Sequence, residues 1–593
     1  MSVFNYPLDN SYILQKKKSL KRELLQKDGL IDKKIAILSG STIGEIQNIF
    51  ELFLLNYGIK PNFYIGGYNR YYENVMFDDG SLKEFAPDFI YIHTTCKNLT
   101  DLPVPQDSPQ VVSSKLDKEF LKFKTVCEKA LSFGAVVIVN NFEMPFYRMY
   151  GNKDAVMPQG VVNFTTKLNG MIADYVSSKD NLYLNDINYL SSLIGLDNWF
   201  SLENWYLYKY ALSVEKIPDL AFSLAKIVKS CLGKNQKSVV LDLDNTLWGG
   251  IIGDDGVEGI AIGNEAPAGM SYTEFQSYLK NLSGLGIMLN VCSKNEEAIA
   301  KKGFSERKEA PLSLEDFICF KANWEPKHIN IGAIAKEINI GLDSLVFIDD
   351  NPVERDIVRS QLPDVTVPEV KCPEDYIKAI DRSGFFEITS FTKDDAKRNE
   401  MYKQNAQRAA QQESFADYTQ YLLSLDMSGE IGGFSPAHSE RITQLINKTN
   451  QFNFTTRRYA QSEIDEIIAD DKSYISAHAN LVDKFGDNGI TTCLIASVQG
   501  KSANIDLWVM SCRVFKRHLE YAMFDYLVAK CREMGVENIT ASYLPTAKNV
   551  IVKDFYETLD FTLTLDSDSE KKYIFNVPTN YKNKNEVIKM DLV

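Results

Sequence analysis

The stretch VVLDLDNTLWGG, Val239–Gly250, decides the reading of the chain, because an apolar run ends in two carboxylates spaced one apart and then in glycines. An uninterrupted apolar run of this length predicts a strand buried on both faces of a parallel sheet. In such sheets ligands gather beyond the carboxyl ends of the strands, so the residues just after each strand carry the chemistry.

Two further runs behave in the same way. SVVLDLD, IMLNVCS and SLVFIDD read as strands separated by helical stretches at Ser271–Leu285 and His328–Ile338. Their ends deliver Asp242 and Asp244, then Ser293, then Asp349 and Asp350. Carboxylates gathered in one crevice repel unless a cation shares them, and an all-oxygen set suits octahedral Mg²⁺. Lys327, which follows NWEP and opens a helix, supplies a positive charge for a phosphate, and the Ser293 hydroxyl a hydrogen bond to it. The competing reading makes DxD and DD ordinary caps of strand-to-helix turns. Asn245 and Thr246 are read as shaping the turn, and His328 as a solvent-facing residue of a first helical turn.

Outward from this centre, the alternation of strand and helix begins near residue 31, with KIAILSGS, PDFIYIHT and AVVIVNNF as strands, and implies an earlier parallel α/β domain. Beyond the centre, the polar bridge KDDAKRNEMYKQNAQRAAQQESF leads into short β-branched strands and a long helix, His518–Met534, the pattern of an α+β domain. The lysine run Lys16–Lys18 is read as the solvated face of a short first helix.

Composition narrows the class. The chain has 593 residues, which implies three or four domains. It is 45% hydrophobic and 24% charged, with a net charge of −14, which argues against a nucleic-acid surface. No apolar window is long enough for a membrane helix, and the amino terminus lacks the apolar core of a secretory signal. Its nine cysteines are scattered without a CxxC pair, as expected of a reducing compartment. A cytoplasmic protein with no membrane insertion and no nucleic-acid partner is expected.

DLDNTLWGG, VCSKN, Lys327 and FIDDNPVE resemble, in order, the four motifs of the haloacid dehalogenase (HAD) superfamily. The resemblance implies that Asp242 is the nucleophile taking up a phosphoryl group and Asp244 the general acid/base. It implies that Ser293 and Lys327 steady that group, and that Asp242, the carbonyl of Asp244, and Asp349 or Asp350 hold Mg²⁺. Between Asp242 and Ser293 lie 50 residues and between Ser293 and Lys327 only 33, too few for an inserted cap, so an open site is expected.

The extended first motif, with NWEPK, FIDDNPVER, LINKTNQFNFTTRRY, FGDNGI and WVMSCRVF, resembles the FkbH-like family. That resemblance implies a small phosphorylated acyl substrate of the 1,3-bisphosphoglycerate kind, dephosphorylated and loaded as a glyceryl or similar thioester on a phosphopantetheinylated acyl carrier protein. The carboxy-terminal region resembles a GNAT-type acyltransferase, in which amides of an Arg/Gln-x-x-Gly-x-Gly/Ala turn cradle a pyrophosphate. The matching positions are Arg513, Lys516 and His518, so both glycines are replaced. Arg513, Lys516 and Arg517 are the candidates for contacting the phosphopantetheine phosphate or an acidic carrier.

Cys512 is the candidate acyl acceptor, with a buried strand cysteine as the competing reading and Cys292 as its rival. LSGST resembles the start of an SGNH-type hydrolase, with Ser39 or Ser41 as nucleophile, but the late Asp-x-x-His pair is missing and the sole histidine nearby is His93. The expected organisation is therefore residues 1–30 as a lead, 31–233 as a flavodoxin- or SGNH-like α/β domain, 234–385 as a capless HAD domain, 386–425 as a helical linker, 426–582 as a GNAT-like α+β domain and 583–593 as a tail. A plain small-molecule (sugar) phosphatase and a nonenzymatic assembly protein are the competing functions.

Overall fold

The computed structural model describes residues 3–389, 391, 398–412, 415, 417–546 and 548–593, apart from the side chains at 406, 409, 410 and 512. The chain divides into two compact units, Met1–Leu232 with Ala460–Glu463, and Gly233–Tyr459 with Ile464–Val593. Among the described residues no helix is long and apolar enough to cross a membrane.

The first unit is built on strands β1 (Ile31–Ser39), β2 (Ile59–Ile65), β3 (Phe89–His93), β4 (Val136–Asn140) and β5 (Leu182–Asn185). They form one parallel sheet in the order β2-β1-β3-β4-β5. Residues 1–30 do more than lead into it. Helix Asn10–Leu24 packs on helix Gly44–Asn56 and buries Ile13 and Leu24 in the same core as Phe50 and Phe53. Lys16 and Lys18 of that helix face solvent, and Lys17 pairs with Glu45.

The second unit opens with strands β6 (Ser238–Leu241), β7 (Met288–Ser293), β8 (Phe317–Ala322) and β9 (Leu345–Ile348), a parallel sheet in the order β8-β7-β6-β9. All four residues of β6 and of β9 are buried, which is why they read as plain apolar runs. Asn290, inside β7, is tolerated because its amide donates to Ser238 Oγ at 2.6 Å and its carbonyl accepts from Cys319 N. The crossovers from β6 to β7 and from β7 to β8 contain helices Ile252–Gly259, Pro267–Gly284 and Glu297–Ser305 and no further domain, so no cap is inserted there, as the spacing of Asp242, Ser293 and Lys327 leads one to expect.

The rest of this unit is a mixed sheet of β10 (Ser428–Gly432), β11 (Phe452–Asn453), β12 (Tyr474–Asp483), β13 (Gly486–Gln499), β14 (Ser502–Met510), β15 (Asn538–Tyr543), β16 (Thr562–Asp566), β17 (Lys571–Asn576) and β18 (Lys589–Leu592). The path runs β16-β17-β15-β14-β13-β12-β10-β18, with β11 added to β14. β14 and β15 are parallel neighbours paired only over Ser502–Ile505 and Asn538–Ala541, and the long helix Leu519–Glu533 connects them. This is the α+β arrangement expected of the carboxy-terminal region. Residues 583–593, expected as a tail, supply β18, which extends the sheet beside β10.

Helix Arg398–Gln412 falls within the expected linker 386–425, of which residues 390, 392–397, 413, 414 and 416 lie outside the described residues. It touches both parts of the unit. Asn399 donates to the carbonyl of Ser283 at 2.8 Å and Lys403 to that of Glu315, whereas Arg408 pairs with Asp483 at 2.7 Å.

Candidate active site

Register brings the carboxylates together. In the β6–β9 ladder Leu241 lies opposite Ile348, so the next residues, Asp242 and Asp349, emerge side by side from the carboxyl end of the sheet. β7 adds Ser293 at the same end, and Lys327 opens helix Lys327–Glu337 after β8. Ligating oxygens of Asp242, Asp349 and Asp350 lie within 4.8 Å of one another.

Lys327, only 4% exposed, projects among them, with its Nζ 2.5 Å from Asp349 Oδ2 and 3.1 Å from Asp242 Oδ2. Burial works against its charge, but the two aspartates outweigh it and hold the ammonium above its ordinary range. Asp349 is pushed up to about 7 by burial and by Asp242, with Lys327 pulling the other way. Burial and Asp242 also raise Asp350. Asp242 Oδ1 is buried and has no hydrogen-bond partner. An orphaned carboxylate oxygen facing two raised carboxyl groups fits a divalent cation, and an all-oxygen donor set selects a hard one such as Mg²⁺. Asp242, Asp349 and Asp350 would hold it, and the side chain of Asp244 stands outside that trio.

Asp244 is fixed by three donors. Trp248 Nε1 at 2.9 Å and the main-chain N of Ile252 at 3.0 Å reach Oδ1, and Asn295 Nδ2 at 2.8 Å reaches Oδ2. Asn295 also donates to Ser293 Oγ at 3.2 Å. Asn245 adopts a left-handed φ of 53° and its side chain accepts from Gly250 N. Thr246, wholly buried, accepts from the main-chain N of Asp350 at 3.2 Å, which ties the first motif to the fourth. Both shape the turn. The fourth-motif loop is held in turn by Arg355, which donates to the carbonyls of Asp349 and Asp350, each at 2.7 Å. Asn295, Trp248 and Arg355 were not singled out from the sequence, although VCSKN, DLDNTLWGG and FIDDNPVER contain them or lead directly into them.

Other expected site residues are dispersed. Cys292 is fully buried, its thiol faces the carbonyl of Lys327, and burial raises it well beyond thiolate range, which disfavours it as an acyl acceptor. The side chain of Cys512 lies outside the described residues. Lys516 and His518 take left-handed φ of 67° and 68°, the region that glycine enters most readily. Arg513 Nε donates to Ser511 Oγ at 3.1 Å. Arg517 needs correction as a phosphate contact. It is buried, paired with Asp483 at 3.0 Å, and donates to Asn405 and to the carbonyl of Arg513. A guanidinium so engaged is a core strut.

In the first unit Ser39, His93, Asn140 and Asn185 end neighbouring strands, all buried. Ser39 Oγ donates to the carbonyl of Ser41, and His93 Nδ1 meets Tyr91 OH at 2.8 Å and Asn140 Nδ2 at 3.3 Å. Burial lowers His93 to about 4. No serine–histidine hydrogen bond forms there among the described residues, so the hydrolase reading gains nothing.

The family described as FkbH, N-terminal domain, matches residues 53–229. A crystal structure of the N-terminal part of the protein BF1531 from Bacteroides fragilis, containing a phosphatase domain and complexed with Mg, is 30% identical, covers 63% of this chain and 99% of its own, and superposes with a TM-score of 0.59. The chain belongs to the FkbH-like family. No curated protein sequence matches it. The ribosomal-protein-S18-alanine N-acetyltransferase from Escherichia coli matches 26% of this FkbH-like chain and 99% of its own at 11% identity and a TM-score of 0.21.

Proposed function

We propose that this FkbH-like protein is a Mg²⁺-dependent HAD-type phosphatase that removes phosphate from a small phosphorylated acyl compound and loads the acyl unit, glyceryl or similar, on an acyl carrier protein. The observation that supports it most is the trio Asp242, Asp349 and Asp350 around an orphaned oxygen of Asp242, with the Lys327 ammonium alongside.

In this reading Asp242 attacks the phosphorus of a phosphate ester, a new oxygen–phosphorus bond forms, and the bond to the substrate oxygen breaks. Asp244 gives that oxygen a proton and then takes one from the water that frees phosphate from Asp242. Lys327 and the Ser293 hydroxyl bind the equatorial oxygens of the transferring group. Bound Mg²⁺ neutralises charge on the phosphoryl group. The substrate's acyl-phosphate end supplies the second step: a thiolate attacks the carbonyl carbon, the carbon–sulfur bond forms, and phosphate leaves. Cys512 is the enzyme thiol we propose for that relay, and Lys516 the group contacting an acidic surface of the carrier.

Intact-protein mass spectrometry with Mg²⁺, 1,3-bisphosphoglycerate generated in situ and a phosphopantetheinylated carrier tests this directly. A glyceryl mass that appears on the enzyme, moves to the carrier and vanishes in Cys512→Ala is the expected result. Phosphate release with no adduct on either protein would leave a plain phosphatase.

A further inference from the structure

The GNAT-type sheet implies a coenzyme A thioester as ligand, and this chain's own residues stand where one would bind. After Ile505 and Ala541 the parallel strands β14 and β15 part, and β14 runs on to Met510 with its other edge against β13. The edge so exposed lies just ahead of the turn Arg513–His518 and of helix Leu519–Glu533. A pantetheine arm is an extended chain with two amides, and such a chain binds by adding to a free strand edge. The pyrophosphate at its end would need the amides of the helix start.

The strand edge is taken. β11 lies along it, with Phe452 opposite Met510 and Asn453 opposite Val509. The segment is also held from the far side, where Leu544 N donates to the carbonyl of Phe454 at 2.8 Å and Asn549 Nδ2 to that of Asn453 at 2.9 Å. Thr455 Oγ1 donates to the carbonyl of Asp506 at 2.8 Å, within the gap. Phe452, Asn453 and Phe454 are at most 2% exposed, and the two rings pack on Trp508, Phe515, Phe555 and Tyr556. Arg458 pins the preceding loop by donating to the carbonyls of Ile446 and Thr449. The family-like stretch LINKTNQFNFTTRRY thus adds a two-residue strand to the edge of β14, tied on its other side to Leu544 just past β15.

The helix start is taken as well. Glu520, in the first turn, is 4% exposed, so its carboxyl is buried at the helix start. Its Oε2 is buried with no hydrogen-bond partner. A buried carboxyl group in the first turn takes space at the helix start, and whenever it is ionised it repels an incoming pyrophosphate.

We propose that the C-terminal domain binds no coenzyme A thioester, because Phe452–Phe454 fill the strand edge and Glu520 fills the helix start that such a ligand would use. The acyl donor is then a compound activated in another way, a conclusion that rests on the proposed function for its identification as an acyl phosphate.

The test uses the full chain with coenzyme A and acetyl-coenzyme A as probes, read by titration calorimetry and by hydrogen exchange with mass spectrometry. No saturable heat up to millimolar ligand, with slow exchange at Phe452–Phe454 unchanged, is expected. Saturable binding that alters exchange at Phe452–Phe454 or Leu519–Glu520 would overturn the proposal, and binding that leaves both unaltered upholds it. A Lys516→Gly, His518→Gly, Glu520→Ala variant, its fold checked by circular dichroism, separates the two halves. It should still bind nothing. If it gains saturable binding while Phe452–Phe454 stay slow, the strand half of the proposal is wrong. Because neither readout involves phosphate release, failure here is distinct from failure of the phosphatase reading.

Discussion

The amide of Asn295 holds Asp244 Oδ2 at 2.8 Å and Ser293 Oγ at 3.2 Å, so one side chain orients two residues to which the family resemblance gives chemical roles. Asn295→Ala should lower kcat about 10- to 100-fold with KM little changed, because a positioned acid/base contributes mainly in the transition state. Steady-state phosphate release, with kcat and KM resolved separately, checks this. An equal rise in KM with kcat intact would assign Asn295 to substrate binding instead.

Asp242→Asn should abolish phosphate release, a fall of about ten-thousand-fold or more, with the circular dichroism spectrum unchanged. Chelation should silence the native enzyme and Mg²⁺ restore it. With Mg²⁺ at about 100 times its Kd, the gain in unfolding free energy should be about 2.7 kcal/mol, and Asp242→Asn should shrink it.

Lys327 is a buried counter-charge to Asp242 and Asp349. Lys327→Met leaves those carboxylates facing one another, and the metal-free protein should lose about 3–5 kcal/mol of stability. Urea unfolding with and without Mg²⁺ should show the loss to be largest without the cation.

Arg517 and Lys516 are adjacent but should respond differently. Arg517→Gln leaves Asp483 with one charged partner, Arg408, beside the main-chain N of Phe485, and should cost about 3 kcal/mol of stability. Lys516→Glu should leave stability nearly unchanged and slow carrier-dependent turnover. Thermal melts beside carrier titrations distinguish the two.

Glu520 gives the fold a pH dependence. Burial pushes its carboxyl up to about 7 from the ordinary 4.5. The folded state then holds the proton more tightly than the unfolded state. Its contribution is full below pH 4.5 and is lost as pH rises to about 7, a loss on the order of 3 kcal/mol. Glu520→Gln stays neutral, so it should be the more stable protein in mildly alkaline buffer and lack this slope in chemical denaturation.

The candidate site was legible because buried parallel strands announce themselves as apolar runs, and the residues directly after each run gather at one end of the sheet. Asp242, Ser293 and Asp349 come from that rule alone, and Lys327 from its place in the motif order. Asn295, Trp248 and Arg355 did not, since a loop asparagine, a core indole and a helix arginine have many ordinary uses and only geometry shows which donor meets which oxygen. β11 escaped notice because two residues carry no periodicity, and β18 because its four residues are mostly exposed at a sheet edge. Arg517 was misread because a basic residue beside a phosphate-type turn looks solvent-facing until its partner Asp483, 34 positions upstream, is seen.

Helix Arg398–Gln412 gives the second unit a property that domain counting misses. Its first half is hydrogen-bonded to elements flanking the β6–β9 sheet, Asn399 to the carbonyl of Ser283 and Lys403 to that of Glu315, and its second half to the C-terminal region, Asn405 to Arg517 and Arg408 to Asp483 of β12. A rigid rod clamped at both ends makes two sheets share one melting event. Heating should therefore unfold them with a single calorimetric enthalpy, and damage to either sheet should lower the temperature at which the other comes apart.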